Sequence, residues 1–336
     1  PVSRLDATMR AFVTGASGHV GGNLVRELLG RGYEVDCLVR SDIRALENLD
    51  VNLVKGDLLD RKSLQPLMED CDVVFHSAAF VAVEKVQEEL MRKINVGGST
   101  AVANAAVEAG VPKMIHFSSV HAFSQHPTNQ TLTEDRPLVT DPKTAPYDRT
   151  KAEAQRAVLT HREQGLHINI VHPTGIIGPQ DFKPSRMGKV LTDIANGSMP
   201  FALNNGFNWV DVRDVCRSAA NCVDSGKDGQ HYLLPGTWAS MPELSQMVKG
   251  VIGRRTHIAT LPFWTAYLAL PFAALSSSIT GKRPSFSKGS LHALAVQCRD
   301  IPGDLARDQI DHKSRPLEQT IFDSVNWLKE HGQVRI

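Results

Sequence analysis

The sequence predicts an α/β fold, a doubly wound parallel sheet with a smaller, mostly helical C-terminal part. Three observations lead there. Short apolar runs alternate with segments of helical spacing through the first half of the 336 residues, the rhythm of parallel strands joined by helices. A glycine-rich turn follows the first apolar run directly. The alternation fades after Pro173, where Phe182, Phe201, Phe207, Trp209, Trp238, Phe263, Trp264 and Phe272 arrive among prolines and glycines.

Taken in order, Arg10 to Thr14 reads as the first strand, and Asn23 to Leu29 has helical spacing. Glu34 to Arg40 and Val51 to Lys55 read as the second and third strands, and Val73 to His76 as the fourth. A long helix is predicted from about Glu88 to Ala109, stopped by Gly110 and Pro112. Met114 to Ser118 is the fifth strand. Residues 124–146 hold four prolines and read as a long surface loop. Tyr147 to Glu163 is helical, and His167 to Val171 is the sixth strand. The expected division is a core over 9–175, to which 209–234 returns, and a second part over 176–208 and 235–332. The first eight residues carry no pattern and read as a disordered or appended terminus.

The composition excludes several classes of function. Thirty-seven basic and 36 acidic side chains leave a net charge of +1, which gives no electrostatic case for nucleic acid. Five scattered cysteines without a CxxC spacing read as the reduced thiols of a cytoplasmic protein. The histidines form no HxH or HExxH cluster, so no metal is expected. Ile258 to Thr280 lacks any charged residue and has the length of a membrane span. Pro262, Pro271 and the run Ser276 to Ser278 break it, so a buried or interfacial helix pair beside an apolar pocket is expected there, with peripheral membrane contact open.

The turn after the first strand is T-G-A-S-G-H-V-G, Thr14 to Gly21, and a helix follows. Gly15, Gly18 and Gly21 at this spacing allow a tight turn, close approach of the backbone to a pyrophosphate, and close packing of helix on sheet. This is a Rossmann-type dinucleotide site, formed by Thr14, Gly15, Ser17, Gly18, His19, Val20 and Gly21. At the end of the second strand stands Arg40, followed by Ser41 and Arg44, where an acid would take ribose hydroxyls. A guanidinium suits a 2′-phosphate, so the reading is NADP, with NAD open.

Tyr147 and Lys151 lie four apart in Y-D-R-T-K, hence on one helix face. An ammonium beside a phenol lowers its pKa, so Tyr147 is expected to be poised as a proton donor and acceptor. Ser119, at the end of the fifth strand in F-S-S-V, supplies a hydroxyl for the same substrate oxygen.

With these motifs the chain resembles an extended short-chain dehydrogenase/reductase, of the dihydroflavonol-reductase-like and 3β-hydroxysteroid-dehydrogenase-like branch. The resemblance runs from Met9 to about Gly332. It also rests on G-D-L-L-D (Gly56 to Asp60), V-F-H-S-A-A (Val74 to Ala79), N-V-G-G (Asn95 to Gly98), H-P-T-G-I-I-G-P (His172 to Pro179) and N-W-V-D-V-R-D-V (Asn208 to Val215). It implies that Asp57 and Leu58 flank the adenine, that Ala78 and Ala79 line the cofactor cleft, and that Pro173 sits by the nicotinamide amide. It implies that Asn95 supports the catalytic helix and a water that relays protons to Lys151. Pairing of two chains through the helices near 88–109 and 147–163 is a further implication.

Two departures bear on substrate. Phe123 stands where relatives often carry a tyrosine, and Phe207 and Asn208 stand where nucleotide-sugar enzymes carry an R-D pair. The implied reaction is hydride transfer between NADP(H) and a small apolar carbonyl or alcohol. Val81, Phe123, Ile176, Ile177, Met187, Phe207 and Trp264 are the expected substrate-lining residues. Two alternatives stay open: a nucleotide-sugar epimerase or dehydratase, and a non-catalytic dinucleotide sensor.

Overall fold

In the computed structural model, which describes residues 8–81, 88–199, 201–253, 258–265 and 297–334, the chain opens with β1 (Arg10–Thr14). It continues through α1 (His19–Gly30), β2 (Glu34–Val39), β3 (Asn52–Lys55), α2 (Arg61–Leu64), β4 (Val73–His76), α3 (Glu88–Arg92) and α4 (Ser99–Glu108). Next come β5 (Lys113–Phe117), α5 (Pro146–Leu159), β6 (His167–Pro173), β7 (Gly175–Ile177), α6 (Arg186–Ala195), β8 (Phe201–Leu203) and β9 (Gly206–Asp211). The rest is α7 (Val212–Ser225), β10 (His231–Leu234), β11 (Thr237–Ser240), α8 (Met241–Val251), β12 (Ala259–Leu261), α9 (Asp304–Ile310) and α10 (Leu317–Glu330).

Seven strands form one parallel sheet in the order β3-β2-β1-β4-β5-β6-β10. Parallel strands need crossovers, and the crossovers cover both faces. On one face, Leu24, Val25 and Leu28 of α1 pack with Val215, Ala219 and Val223 of α7 and with Ile310 of α9. On the other, Val102 and Ala106 of α4 and Val158 of α5 pack on Phe12, Val74, Met114 and Ile168. The double covering explains why all four residues of β4 are buried. Chain order reverses between β1 and β4, so a crevice opens at the carboxyl ends of these strands.

Three elements differ from the sequence reading. The long helix over 88–109 is broken by a π turn, Lys93–Gly98, that holds the buried Asn95. The helix after Tyr147 starts at Pro146 and tightens after Leu159 into a 3-10 turn closed by Gly165, at φ +90°. The return to the main sheet begins at α7, not at Trp209, because β9 pairs with β7 and β11 in a separate three-stranded sheet.

The C-terminal part has its own core. Leu191 and Ile194 of α6, Trp209, Leu244 and Val248 of α8, and Ile321 and Val325 of α10 pack together. Two small sheets, β11-β9-β7 and β12-β8, join the helices there. Ala259–Leu261 is thus a strand beside β8, where the sequence reading has a helix pair. Residues 266–280 of that uncharged stretch lie outside the described residues. Among the described residues, no helix is long and apolar enough to cross a membrane.

The N-W-V-D-V-R-D-V motif joins the two parts. Asp211 caps α7 by accepting from the Arg213 amide at 2.8 Å and also pairs with the Arg213 guanidinium. Asp214, 1% exposed, accepts from the Arg315 amide at 2.8 Å and from its guanidinium at 2.7 Å, which ties α7 to the segment ahead of α10. Removing one partner of such a pair strands a charge. Asp214→Asn should therefore lower unfolding free energy by about 3 kcal/mol. Urea denaturation followed by circular dichroism checks this; a loss within error of zero would show that the pair does not hold the two parts together.

Candidate active site

The turn after β1 is built for a close-approaching anion. Gly15 sits at φ +72°, and a Cβ there would lie 2.7 Å from the Ala78 nitrogen. A Cβ on Gly21 would lie 2.1 Å from the Gly15 oxygen, so α1 could not seat against the turn. A Cβ on Gly18 would meet only the Gly15 oxygen, at 3.2 Å, so Gly18 leaves the N-terminus of α1 open. That N-terminus has no side-chain cap and no acid in its first turn. Unpaired first-turn N–H groups and the helix dipole favour a phosphate there, so the loop fits a dinucleotide. Ser17 and Val20 are half-buried beside it. The His19 ring is engaged elsewhere, 3.1 Å from the Pro179 carbonyl, which also accepts from Asn23.

Thr14 belongs to a buried chain of hydrogen bonds rather than to an open surface. Its hydroxyl accepts from the Ala78 amide and meets His76 Nδ1 at 2.7 Å. His76 Nε2 meets Ser99 Oγ at 2.9 Å, and Ser99 donates to the Asn95 carbonyl at 2.6 Å. Because Ser99 gives its hydrogen to Asn95, His76 Nε2 must donate to Ser99, and in the neutral ring that burial favours Nδ1 then accepts from the Thr14 hydroxyl. Burial, with the Lys151 charge nearby, pushes His76 down to about 3.

At the end of β2, Arg40 is exposed and makes no ion pair among the described residues. Arg44 is different: it grips Asp42 through Nε at 2.9 Å and Nη2 at 2.7 Å and holds that carboxyl down to about 2. Arg44 is therefore paired within its own loop, whereas Arg40 makes no ion pair among the described residues. Asp57 is exposed, with one oxygen on the Leu59 amide at 3.0 Å. Leu58 is half-buried against Gly98, Ala79 is exposed, and Pro173 is buried at the end of β6.

Ser119 and Tyr147 meet. The Tyr147 hydroxyl lies near the Ser119 side chain, whose Oγ accepts from the His121 amide at 3.2 Å. Burial pushes the Tyr147 hydroxyl up to about 12, and Asp148 pushes it the same way; the nearby Ser119 hydroxyl and the Arg186 charge act against them. This reverses the sequence expectation of a phenol lowered by its lysine. The physical reason is reach: Lys151 Nζ extends past Tyr147 to the sheet and donates to the Phe117 carbonyl at 2.6 Å. Burial brings Lys151 down to about 8. Asn95 supports the same helix, donating to Thr150 Oγ1 at 3.2 Å and to the Phe80 carbonyl at 3.0 Å while accepting from the Phe80 amide at 2.7 Å.

Residues 11–234 match the NAD dependent epimerase/dehydratase family. The chain belongs to that family. Sterol demethylase protein B of Methylococcus capsulatus is 32% identical over 332 residues, 97% of this chain and 100% of the relative. The 4-hydroxy-2-methyl-3-oxo-4-farnesyl-3,4-dihydroquinoline-1-oxide ketoreductase of Stigmatella aurantiaca is 28% identical, covering 97% of this chain and 98% of its own. The crystal structure of gox2253 superposes with a TM-score of 0.83 at 30% identity, covering 97% of this chain and 99% of that one. The chain is thus a nicotinamide-dinucleotide-dependent oxidoreductase of the extended short-chain type.

The substrate side of this family member is partly other than expected. Val81 and Trp264 are exposed, at 49% and 64%, and Ile176, Met187 and Phe207 are half-buried. Phe123 and Ile177 are not lining residues, because they have almost no accessible surface. Phe123 packs with Val120, Leu132 and Leu233, its ring 4.6 Å from His172. Ile177 follows Ile176 on the strand and so faces the other way, into the cluster of Leu191 and Trp209. Asn208 is a clasp: its oxygen accepts from Thr174 Oγ1 at 2.9 Å and from the Gly236 amide at 2.6 Å.

Several residues at the site escaped the sequence reading. His121, with Nδ1 3.8 Å from Asp148 and Nε2 accepting from Gln297 at 3.0 Å, lies beside Ser119. His76, His116 and His172 each stand at or next to the end of a strand, a regularity visible in V-F-H, I-H-F and V-H-P. Among the described residues, no three His, Cys, Asp or Glu side chains group as metal ligands.

The role of Gly18 gives a clean test. Gly18→Ala should fold with wild-type stability but bind the dinucleotide at least about tenfold more weakly, since the methyl stands where the helix end is otherwise open. Titration calorimetry with NADPH and NADH measures it. Undiminished affinity would mean that the phosphates bind away from this turn.

Proposed function

We propose that the protein interconverts a bulky apolar ketone and its secondary alcohol with NADP(H). The observation that carries this reading is Tyr147 placed next to Ser119, with the buried Lys151 donating to the Phe117 carbonyl beside them, at the carboxyl edge of the sheet. The dinucleotide, when bound, supplies or accepts the hydride. Ser119 orients the substrate oxygen, and Tyr147, held protonated by burial, gives that oxygen its proton in the reducing direction. Lys151 keeps a positive charge below the site and restores the proton. The half-buried and exposed apolar side chains Val81, Ile176, Met187, Phe207 and Trp264 suit a large apolar substrate. The relatives named for a sterol and for a farnesylated ketone support the same class.

A nucleotide-sugar substrate has less support. Its diphosphate needs an arginine, Phe207 offers none, and the neighbouring Arg213 and Arg315 are already held by Asp211 and Asp214. The sensor reading is separated by turnover alone.

Tyr147→Phe keeps the ring and removes the proton. It should reduce the rate of ketone reduction by about 10²–10⁴-fold and leave NADPH affinity within about twofold. Stopped-flow absorbance of the dinucleotide reads both; a variant retaining a tenth of the activity would remove Tyr147 from the chemistry.

Arg40 carries the preference for NADP. Arg40→Asp should weaken NADPH by roughly tenfold or more and favour NADH, because a carboxylate repels the 2′-phosphate and accepts from ribose hydroxyls. Wild-type protein that binds NADH more tightly than NADPH would overturn the assignment.

A further inference from the structure

The loop after β2 holds an ion pair close to where a dinucleotide's adenosine ribose would lie, and the hydride chemistry makes no use of it. Asp42 stands two residues past Arg40, and its carboxylate fills the guanidinium fork of Arg44. Asp42 Oδ1 accepts from Nε at 2.9 Å and Oδ2 from Nη2 at 2.7 Å, and Oδ1 also accepts from the Arg44 amide at 3.3 Å. Both side chains stay open to solvent, Arg44 at 56% and Asp42 at 32%. Pairs so placed are weak, because water competes for both charges. A phosphate fits the same fork through two parallel bonds, and a phosphomonoester brings more charge and a third acceptor oxygen.

A cation from the C-terminal part lies close to this pair. Arg26 of α1 donates through Nη1 to the Gly22 and Ala45 carbonyls, each at 2.8 Å, which seats the Arg44–Leu46 turn on the helix. The same guanidinium stands over the Phe182 ring, 5.8 Å from its centroid. Trp327 of α10 packs edge-on against Phe182, with centroids 5.0 Å apart. Asp181, 1% exposed, fixes the turn by accepting from the Ser185 amide at 2.8 Å. Lys183 follows Phe182 directly, so Arg26 links its turn to the loop that carries Asp42. Lys183 is exposed and makes no ion pair among the described residues. Hydrogen bonds from Arg44, aided by the Lys183 charge, hold the Asp42 carboxyl down at about 2, so it is ionised near pH 7.

We infer that the 2′-phosphate of NADP takes the Arg44 fork from Asp42, and that the released carboxylate passes to Lys183 across the cleft. The proposal rests on the NADP reading above, in which Arg40 is the first cation for that phosphate; Arg44 becomes the second. NAD has no 2′-phosphate and leaves the Asp42–Arg44 pair closed. Asp42 is thus an internal competitor that lowers the preference for NADP over NAD, and Lys183 relieves the competition. The exchange also moves a tie. Before it, the carboxylate bonds within its own loop; after it, the carboxylate joins that loop to the turn ahead of α6.

Titration calorimetry of the full chain with NADPH and with NADH tests the exchange. Asp42→Asn keeps the side-chain shape, removes the competing charge and should tighten NADPH about tenfold, with NADH within about twofold. Arg44→Ala in the Asp42→Asn background should abolish that gain. Lys183→Ala should weaken NADPH several-fold in the wild-type protein and have no effect in the Asp42→Asn background, where no carboxylate needs receiving. Unchanged NADPH affinity in Asp42→Asn, an equal gain for NADH, or a gain that survives the loss of Arg44 would overturn the proposal. A Lys183→Ala effect of the same size in both backgrounds would overturn the transfer to Lys183, since it would place that ammonium on the phosphate itself. Wild-type protein that prefers NADH would count against the reading of Arg40 instead. The Asp42→Asn variant then still decides the exchange, by whether its ratio of NADPH to NADH affinity rises and whether that rise needs Arg44.

Discussion

A sheet whose strands all run one way delivers every strand end to the same edge, and the crossovers between strands must lie over its faces. In this protein β1 is the strand from which the order departs in both directions, to β2 on one side and β4 on the other. The crossovers therefore part above the end of β1 and leave a crevice. The close packing at its base depends on Gly15, whose left-handed backbone lies against Ala78 at the end of β4. The chain from Ala78 through Thr14, His76 and Ser99 to Asn95 then fixes β1, β4 and the π turn relative to one another.

Burial of charge is the second organising constraint. Lys151 is 4% exposed, and its fall from 10.5 to about 8 corresponds to on the order of 3 kcal/mol of preference for the neutral amine. The Phe117 carbonyl offsets part of that by accepting from the ammonium. Tyr147 meets the same low-polarity surroundings and responds in the opposite sense, its hydroxyl held protonated. The environment thus keeps a proton on the phenol and makes the lysine the more easily deprotonated of the two. That pairing suits the delivery of a proton to a substrate oxygen.

Much of this was legible in the residue order, and the failures are instructive. The glycine triplet, the Tyr147–Lys151 spacing and the strand-end Ser119 each express a local rule of turn geometry, helix periodicity or strand termination. The neutralising of Arg44 by Asp42 was not legible as such, because two nearby opposite charges pair only when the loop brings them into a fork geometry. Phe123 and Ile177 were misplaced for a related reason. An apolar residue near a site can face the cleft or the core, and only the packing of Val120, Leu132 and Leu233, or of Leu191 and Trp209, decides which.

By itself the sequence determined the parallel α/β order, the glycine turn after β1 and the choice of Ser119, Tyr147 and Lys151 as the candidate reacting side chains. These follow from periodicity and from the few residues that a tight turn admits. Tertiary structure decided how those side chains are tuned. It carried Lys151 to Phe117, set Tyr147 half-buried in surroundings that keep it protonated, and brought four histidines from β4, β5, β6 and β10 side by side. Contacts between strands distant in sequence and the exclusion of water are properties of the packed sheet, and no local pattern encodes them.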